Sequence, residues 1–367
     1  MLTRWFDFLL GVPLLWLISL VRLRQPAVRD FRKILVIKLA AMGDTVLLIP
    51  VLHSLRGAHP DATIHWLMSR VNAPVARTVP YVNETIAWNG FSPMHFLTLI
   101  QQLRRERYDA VIDFEQWARG TALISFFCGA PHRVGFTTPG QFRSSLFTES
   151  VEKTFRVHEL DDFYALAAKL GTLERQPTLE IFETEKGKDE IGALLSDTLQ
   201  RNKLNVLIHP GCGADGLPRE WPLSKYAEVS QWLEKTFDAQ IFASGGPEET
   251  QKTAGLARLT GGNVIDLGGK LSWEGVISLV RHVDLIISGN TGVMHIAAAL
   301  QKKQLALHGP TNALLWGPVN PNAVVVRSSC PGCPSLRLGF EYHRRDQFCM
   351  NLIEVDEVKA SLSQMLS

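Results

Sequence analysis

The sequence predicts an α/β protein made of two doubly wound domains. Three observations carry this. Hydrophobic, β-rich runs alternate with helical runs in two separate series; a polar, charged stretch from Gly171 to Asn205 divides the series; and the loops that follow the strands are rich in Gly, Ser and Thr. Such alternation means parallel strands joined by crossover helices. Two halves of this kind imply two Rossmann-like domains facing a cleft, with ligands at the carboxyl ends of the strands.

In the first series, KILVIKL (Lys33 to Leu39) reads as a strand and Thr45 to Arg56 as a helix. ATIHWLM and ETIAW are strands, Pro93 to Arg107 a helix, YDAVIDF and RVGF strands, and His158 to Leu170 a helix. The dividing stretch holds a strand-like TLEIF and then a helix. In the second series NVLIHPG, AQIFASGGP, NVIDLGG, VDLIISGN and QLALHGP are strands with their loops. The helices between them run from Leu223 to Phe237, Glu248 to Leu259, Ser272 to Arg281 and Gly292 to Leu300, and Val355 to Leu366 closes the chain. The expected domains are residues 31–175 and 205–350, joined by 176–204 and followed by a terminal helix in 351–367.

The bulk numbers fit this picture. A chain of 367 residues with 46% hydrophobic content suits two ordinary cores. The net charge of only +2 carries no nucleic-acid footprint. Five cysteines are too few for a disulfide scaffold, which suits a reducing cytoplasm. Residues 1–30 stand apart. Their uncharged core, Phe8 to Val21, falls short of the ~20 residues of a spanning helix. It contains Pro13, shows no signal-peptide cleavage site, and is followed by Arg22, Arg24, Arg29, Arg32 and Lys33. An apolar segment with a basic flank reads as an anchor on an anionic leaflet, the alternative being a domain-packing helix.

The chemistry lies in the loops. KLAAMGDTVLLIP places Asp44 where the chain leaves a buried strand and starts a helix. A carboxylate there is either a helix cap or a catalytic base. HPGCGADGLPREWP, SGGPEE, SGNTGVMH and HGPTN all follow strands, and backbone amides at helix starts make anion sites. Gly289, Thr291 and Gly292 therefore suit a phosphate. The first strand is not followed by GxGxxG, and no GK[ST] occurs, which points away from nicotinamide chemistry and from ATP hydrolysis.

From about Lys33 onward the chain resembles glycosyltransferase family 9, the lipopolysaccharide heptosyltransferases and their relatives. The resemblance rests on MGDTVLLIPVLHSLRGAHPDATI, HPG…REWP, SGGPEE and SGNTGVMHIAAALQKKQLALHGPTNALLWGP. It implies a GT-B fold, an ADP-heptose donor, inversion at the anomeric carbon, no catalytic metal and no cofactor. It also implies acceptor binding in the first half and nucleotide binding in the second. Asp44 then matches the family's general base, behind Gly43 on the acceptor side. Arg219 falls where the family often has Lys and would neutralise the departing diphosphate, unless it is a surface arginine. Glu248 matches an acid near the ribose, although acids also favour a helix's first turn. Thr291, Gly292 and His295 match the phosphate-binding turn, with His295 equally suited to packing.

Two departures matter. Asn290 stands where the family frequently has Asp, and keeps a hydrogen-bonding side chain without the charge. Glu115, in IDFEQWARG, stands where Kdo-step enzymes tend to have Gln, and Arg119 matches a basic position suited to an acidic acceptor or to a solvated helix face. Separately, Cys330 and Cys333 form half of a zinc signature, with Cys349 and His343 as irregular further ligands; a metal, free thiols or a disulfide all fit.

The expected activity is transfer of a heptose or related sugar from a nucleotide carrier to a lipid-linked saccharide of the envelope. The expected place is the cytoplasmic side of the inner membrane, with the membrane surface as a partner and no nucleic acid. A UDP- or GDP-sugar transferase or epimerase on the same fold, and a non-catalytic sugar-nucleotide-binding protein, are the alternatives.

Overall fold

A computed structural model describes residues 30–367 except 89, 91, 196–198, 200, 201, 214, 215, 337–340 and 343–345. The anchor segment before residue 30 and His343 lie outside the described residues. The chain divides into two compact units at Pro177/Thr178.

In the first unit the elements are β1 (Lys33–Ile37), α1 (Met42–Ala58), β2 (Thr63–Ser69), β3 (Glu84–Trp88), α2 (Pro93–Glu106), β4 (Ala110–Asp113), α3 (Arg119–Phe127), β5 (His132–Thr137), β6 (Glu149–Glu152) and α4 (Glu159–Ala167). The six strands form one sheet in the order β3-β2-β1-β4-β5-β6, and each neighbouring pair is parallel. β1 is buried from Ile34 to Ile37, as a central strand covered on both faces must be. α1 packs along α4, and its buried residues run unbroken from Thr45 to Leu52. That explains a helix apolar around most of its circumference.

The second unit starts with α5 (Glu185–Leu195) and continues through β7 (Leu204–His209), α6 (Leu223–Phe237), β8 (Ala239–Ala243), α7 (Thr250–Leu259), β9 (Val264–Asp266), α8 (Trp273–His282), β10 (Leu285–Gly289), α9 (Gly292–Ala299), β11 (Lys303–His308), β12 (Ala323–Arg327) and α10 (Val355–Leu366). Its sheet runs β12-β11-β10-β7-β8-β9, again parallel throughout. α5 packs on α8; the Glu190 carboxylate accepts from both the backbone N–H and the hydroxyl of Ser272, at 2.6 Å each. Residues inside the 176–204 stretch thus belong to the second unit's packing.

TLEIF is not a strand. Leu179 and Ile181 bury their side chains as the alternation suggests, but the segment joins neither sheet. β6 and β12, which the sequence reading did not include, each lie at one edge of their sheet. β6 reads ESVE with no fully buried residue, so no apolar run marks it.

Each sheet reverses its winding once, between β1 and β4 in the first unit and between β7 and β10 in the second. At such a point the two carboxyl-end loops diverge to opposite faces and leave a crevice. The registers Ile37↔Asp113 and Ser288↔His209 bring those strand ends level. The segments that follow them carry Asp44, in the first turn of α1, and Glu115 in one unit, and Arg219 and Asn290 in the other.

Candidate active site

In the first unit, Asp44 is the third residue of α1. The N-cap is Ala41, and no side chain caps the helix. Asp44 instead places its Oδ2 2.8 Å from the Lys38 Nζ. Lys38 is 1% exposed. Its ammonium also lies 3.5 Å from Glu115 Oε2, while Glu115 Oε1 accepts from the backbone N–H of Leu39 at 2.7 Å and of Ala40 at 3.0 Å. Burial by itself would favour losing the lysine proton, but Asp44 and Glu115 reverse this and hold its pKa above the ordinary value.

The surroundings are dense in charge. Gln116 and Lys153 bond the Glu159 carboxylate at 2.5 Å each, and Lys153 also reaches Asp162 at 2.6 Å. Burial, with Asp44 nearby, pushes the Glu159 carboxyl up to about 7 against the pull of Lys153. Behind Glu115, the fully buried Arg143–Asp113 pair closes at 2.5 Å. Arg143 also donates to the Glu115 carbonyl, and Glu115 N–H donates to Asp113 Oδ1 at 3.0 Å.

Gly43 precedes Asp44 in the first turn of α1. Arg119 is not on a solvated helix face. It is 4% exposed and donates to the carbonyls of Gln141 (3.2 Å) and Gly140 (3.4 Å), tying down the loop after β5.

In the second unit, Arg219 is not a free surface arginine. Its Nη1 donates to the Asn290 carbonyl at 3.0 Å and its Nη2 to the Cys212 carbonyl at 2.9 Å, so one guanidinium joins the loops after β7 and β10. Its Nε is buried with no acceptor among the described residues. Gly289 lies under this junction: a Cβ there would sit 3.1 Å from the Arg219 carbonyl oxygen and from Cys212 Sγ. Thr291 is the N-cap of α9, yet makes no side-chain cap bond, and its Oγ1 is buried without a partner among the described residues. Gly292 opens the helix. An uncapped helix start, a buried unpaired hydroxyl and a buried unpaired guanidinium N–H are together suited to a multiply charged anion.

The Asn290 side chain donates from Nδ2 to the Trp316 carbonyl at 2.7 Å. An ionised Asp would put acceptor against acceptor there, which accounts for the amide. His295 is buried on α9. With burial as the main cause and His295 adding to it, the His308 imidazole falls to about 3 and stays neutral at physiological pH. Glu248 is exposed beside the buried Glu249. Glu249 accepts from Gly213 N–H at 2.8 Å and from Gly246 N–H at 2.9 Å, linking the loops after β7 and β8.

Cys330, Cys333 and Cys349 bring three thiols together. The Cys349 sulfur lies 2.9 Å from that of Cys330 and 2.8 Å from that of Cys333, and all three fall within 4.8 Å of one another. None is in a disulfide. Burial and the neighbouring thiols push the Cys333 pKa up, so a cation is what would allow several to ionise together. The donor set suits zinc or iron. Full-length protein purified under reducing conditions is expected to hold about one such ion per chain, lost in Cys333→Ser. Protein whose metal content and melting temperature both ignore a chelator would mark these as ordinary thiols.

Residues 96–340 match the sequence profile of glycosyltransferase family 9 (heptosyltransferase). The chain is 24% identical over 358 residues to the lipopolysaccharide core heptosyltransferase OpsX of Haemophilus influenzae, covering 91% of this chain and 97% of that protein. It is 27% identical over 315 residues to lipopolysaccharide heptosyltransferase 2 of Salmonella typhimurium, covering 80% and 88%. The structure of the Escherichia coli ADP-heptose lps heptosyltransferase II shares the fold with a TM-score of 0.71 at 23% identity, over 91% of this chain and 98% of that one. The chain belongs to glycosyltransferase family 9 and is a glycosyltransferase of the GT-B fold.

Proposed function

We propose that this protein is an inverting heptosyltransferase that moves a heptose from ADP-heptose to a lipopolysaccharide-core or similar lipid-linked acceptor. The observation that carries the reading is the Asp44 carboxylate. It sits at the winding reversal of the first unit and is held by a buried lysine instead of capping its helix. The names of the curated relatives, which are lipopolysaccharide heptosyltransferases, support the sugar and the acceptor.

In this reading Asp44 takes the proton of the acceptor hydroxyl as that oxygen attacks the anomeric carbon. The sugar–phosphate bond breaks, and ADP leaves with the bonding electron pair. One base and no protein nucleophile are required, so configuration inverts. The diphosphate charge falls to Arg219 and to the uncapped turn at Thr291 and Gly292, with Asn290 and His295 shaping that turn. No metal is assigned to the chemistry. Glu248 is placed at the ribose hydroxyls, while Glu249 fixes the loops beneath it. Gly43 and Arg119 are assigned to the acceptor side, Arg119 through the loop it holds.

Among the described residues no helix is long and apolar enough to cross a membrane. The basic-flanked segment 1–30 is assigned to peripheral attachment at the inner face of the membrane, where a lipid-linked acceptor lies.

The nucleotide is tested by melting the full-length protein with ADP, UDP or GDP. At about a hundred times its dissociation constant a true ligand adds about 2.7 kcal/mol, and ADP is expected to give that shift alone. A shift with UDP or GDP instead would move the donor. Asp44→Asn is expected to lower kcat by about 10²- to 10⁴-fold with the ADP shift intact; near-normal turnover would remove Asp44 from the mechanism. Deleting residues 1–30 should abolish co-flotation with phosphatidylglycerol vesicles, and unchanged flotation would refute the anchor.

A further inference from the structure

We propose that Lys38 and Glu115 are positioning residues of the reaction: Glu115 holds Lys38, and Lys38 holds and aims Asp44. This rests on the reading of Asp44 as the base, and goes beyond it to two residues that touch neither substrate.

The geometry is specific. A lysine at the end of a central strand, 1% exposed, has no solvent to stabilise its charge. Its ammonium lies between two carboxylates, at 2.8 Å from Asp44 and 3.5 Å from Glu115. Glu115 gives only one oxygen to this contact. The other accepts from Leu39 N–H and Ala40 N–H, the backbone that leads from β1 to Asp44. The Asn72 amide pins the same loop by donating to the Leu39 carbonyl at 3.1 Å. Glu115 is itself fixed from behind by Arg143 and Asp113. One side chain thus sets the path of the loop and the place of the cation together.

The charges have opposite consequences for Asp44. Lys38 attracts the Asp44 carboxylate and fixes its direction. Glu115 acts the other way, because it shares the lysine charge and adds a like charge of its own beside Asp44. The other charged groups facing the cluster are Glu159 and Asp162 from α4, Lys153 beside them, and the Asp113–Arg143 pair behind Glu115. Without Lys38, Asp44 would face Glu115 and Glu159 with no cation in contact.

Two variants of opposite sign test this. Lys38→Met removes the cation. Glu115→Gln keeps an acceptor oxygen for Leu39 and Ala40 but removes the charge. The readout is the side-chain carboxyl resonance of Asp44 in full-length protein labelled with ¹³C-aspartate, assigned by its loss in Asp44→Asn. Its titration midpoint is expected to rise by about one pH unit or more in Lys38→Met and to fall in Glu115→Gln. The acid limb of the kcat profile with ADP-heptose should follow in the same directions, with KM for the donor changed less than about threefold. Midpoints that stay in place, or move together in one direction, would overturn the proposal and show a purely structural pair. If Lys38→Met does not fold, the direction of the Glu115→Gln shift decides alone. Normal turnover in Asp44→Asn would overturn the base assignment instead, whatever the titrations show.

Discussion

A cation held where two loops part, buried as Lys38 and half-buried as Arg219, is the constraint on which each candidate site depends. Parallel sheets that reverse their winding leave adjacent strand ends with loops running to opposite faces. Something must hold those loops in register, and backbone pairing has already ended there. In the first unit Lys38 and Glu115 join the loop after β1 to the loop after β4. In the second, Arg219 joins the loop after β7 to that after β10. A charge in so little water is tolerated only when its partners are fixed, so the cation and the loops order one another.

The two devices differ in the groups they leave for a ligand. Lys38 is surrounded by carboxylates, so its contribution is a fixed negative group, Asp44, at the crevice. Arg219 bonds neutral carbonyls, and among the described residues its buried Nε and the buried Thr291 hydroxyl have no hydrogen-bond partner. One unit thus suits the taking of a proton and the other the holding of an anion. That division is what sugar transfer from a nucleotide diphosphate requires of its protein.

Much of this was legible in the sequence. The helices Leu223–Phe237 and Val355–Leu366 and the strand Glu84–Trp88 fall where the patterns put them, because uninterrupted periodicity and turn residues bound them. TLEIF misled because alternation reports which side chains are buried, and Leu179 and Ile181 achieve that without a neighbouring strand. At the sites, Asp44 and the Gly289–Gly292 turn stood out by position and type, and Arg219 only through the family resemblance. Glu249 was hidden beside Glu248, since only the fold shows which of two adjacent acids turns inward. Glu115 was visible only as a departure from a family pattern. A charged Lys38 at the end of the apolar run KILVIKL was a signal in plain view: a lysine there requires a buried carboxylate. The reason for Asn290 lay in the Trp316 carbonyl, distant in sequence and silent in any motif.

The central claim is that one carboxylate, acting as base with no protein nucleophile, performs the transfer. The anomeric configuration of the product tests it most directly. With ADP-heptose of defined configuration and a lipopolysaccharide-core acceptor, the one-bond ¹³C–¹H coupling at the transferred anomeric carbon reports the outcome. Inversion relative to the donor is the predicted result. Retention would require a second group on the opposite face of the sugar, and would contradict the account.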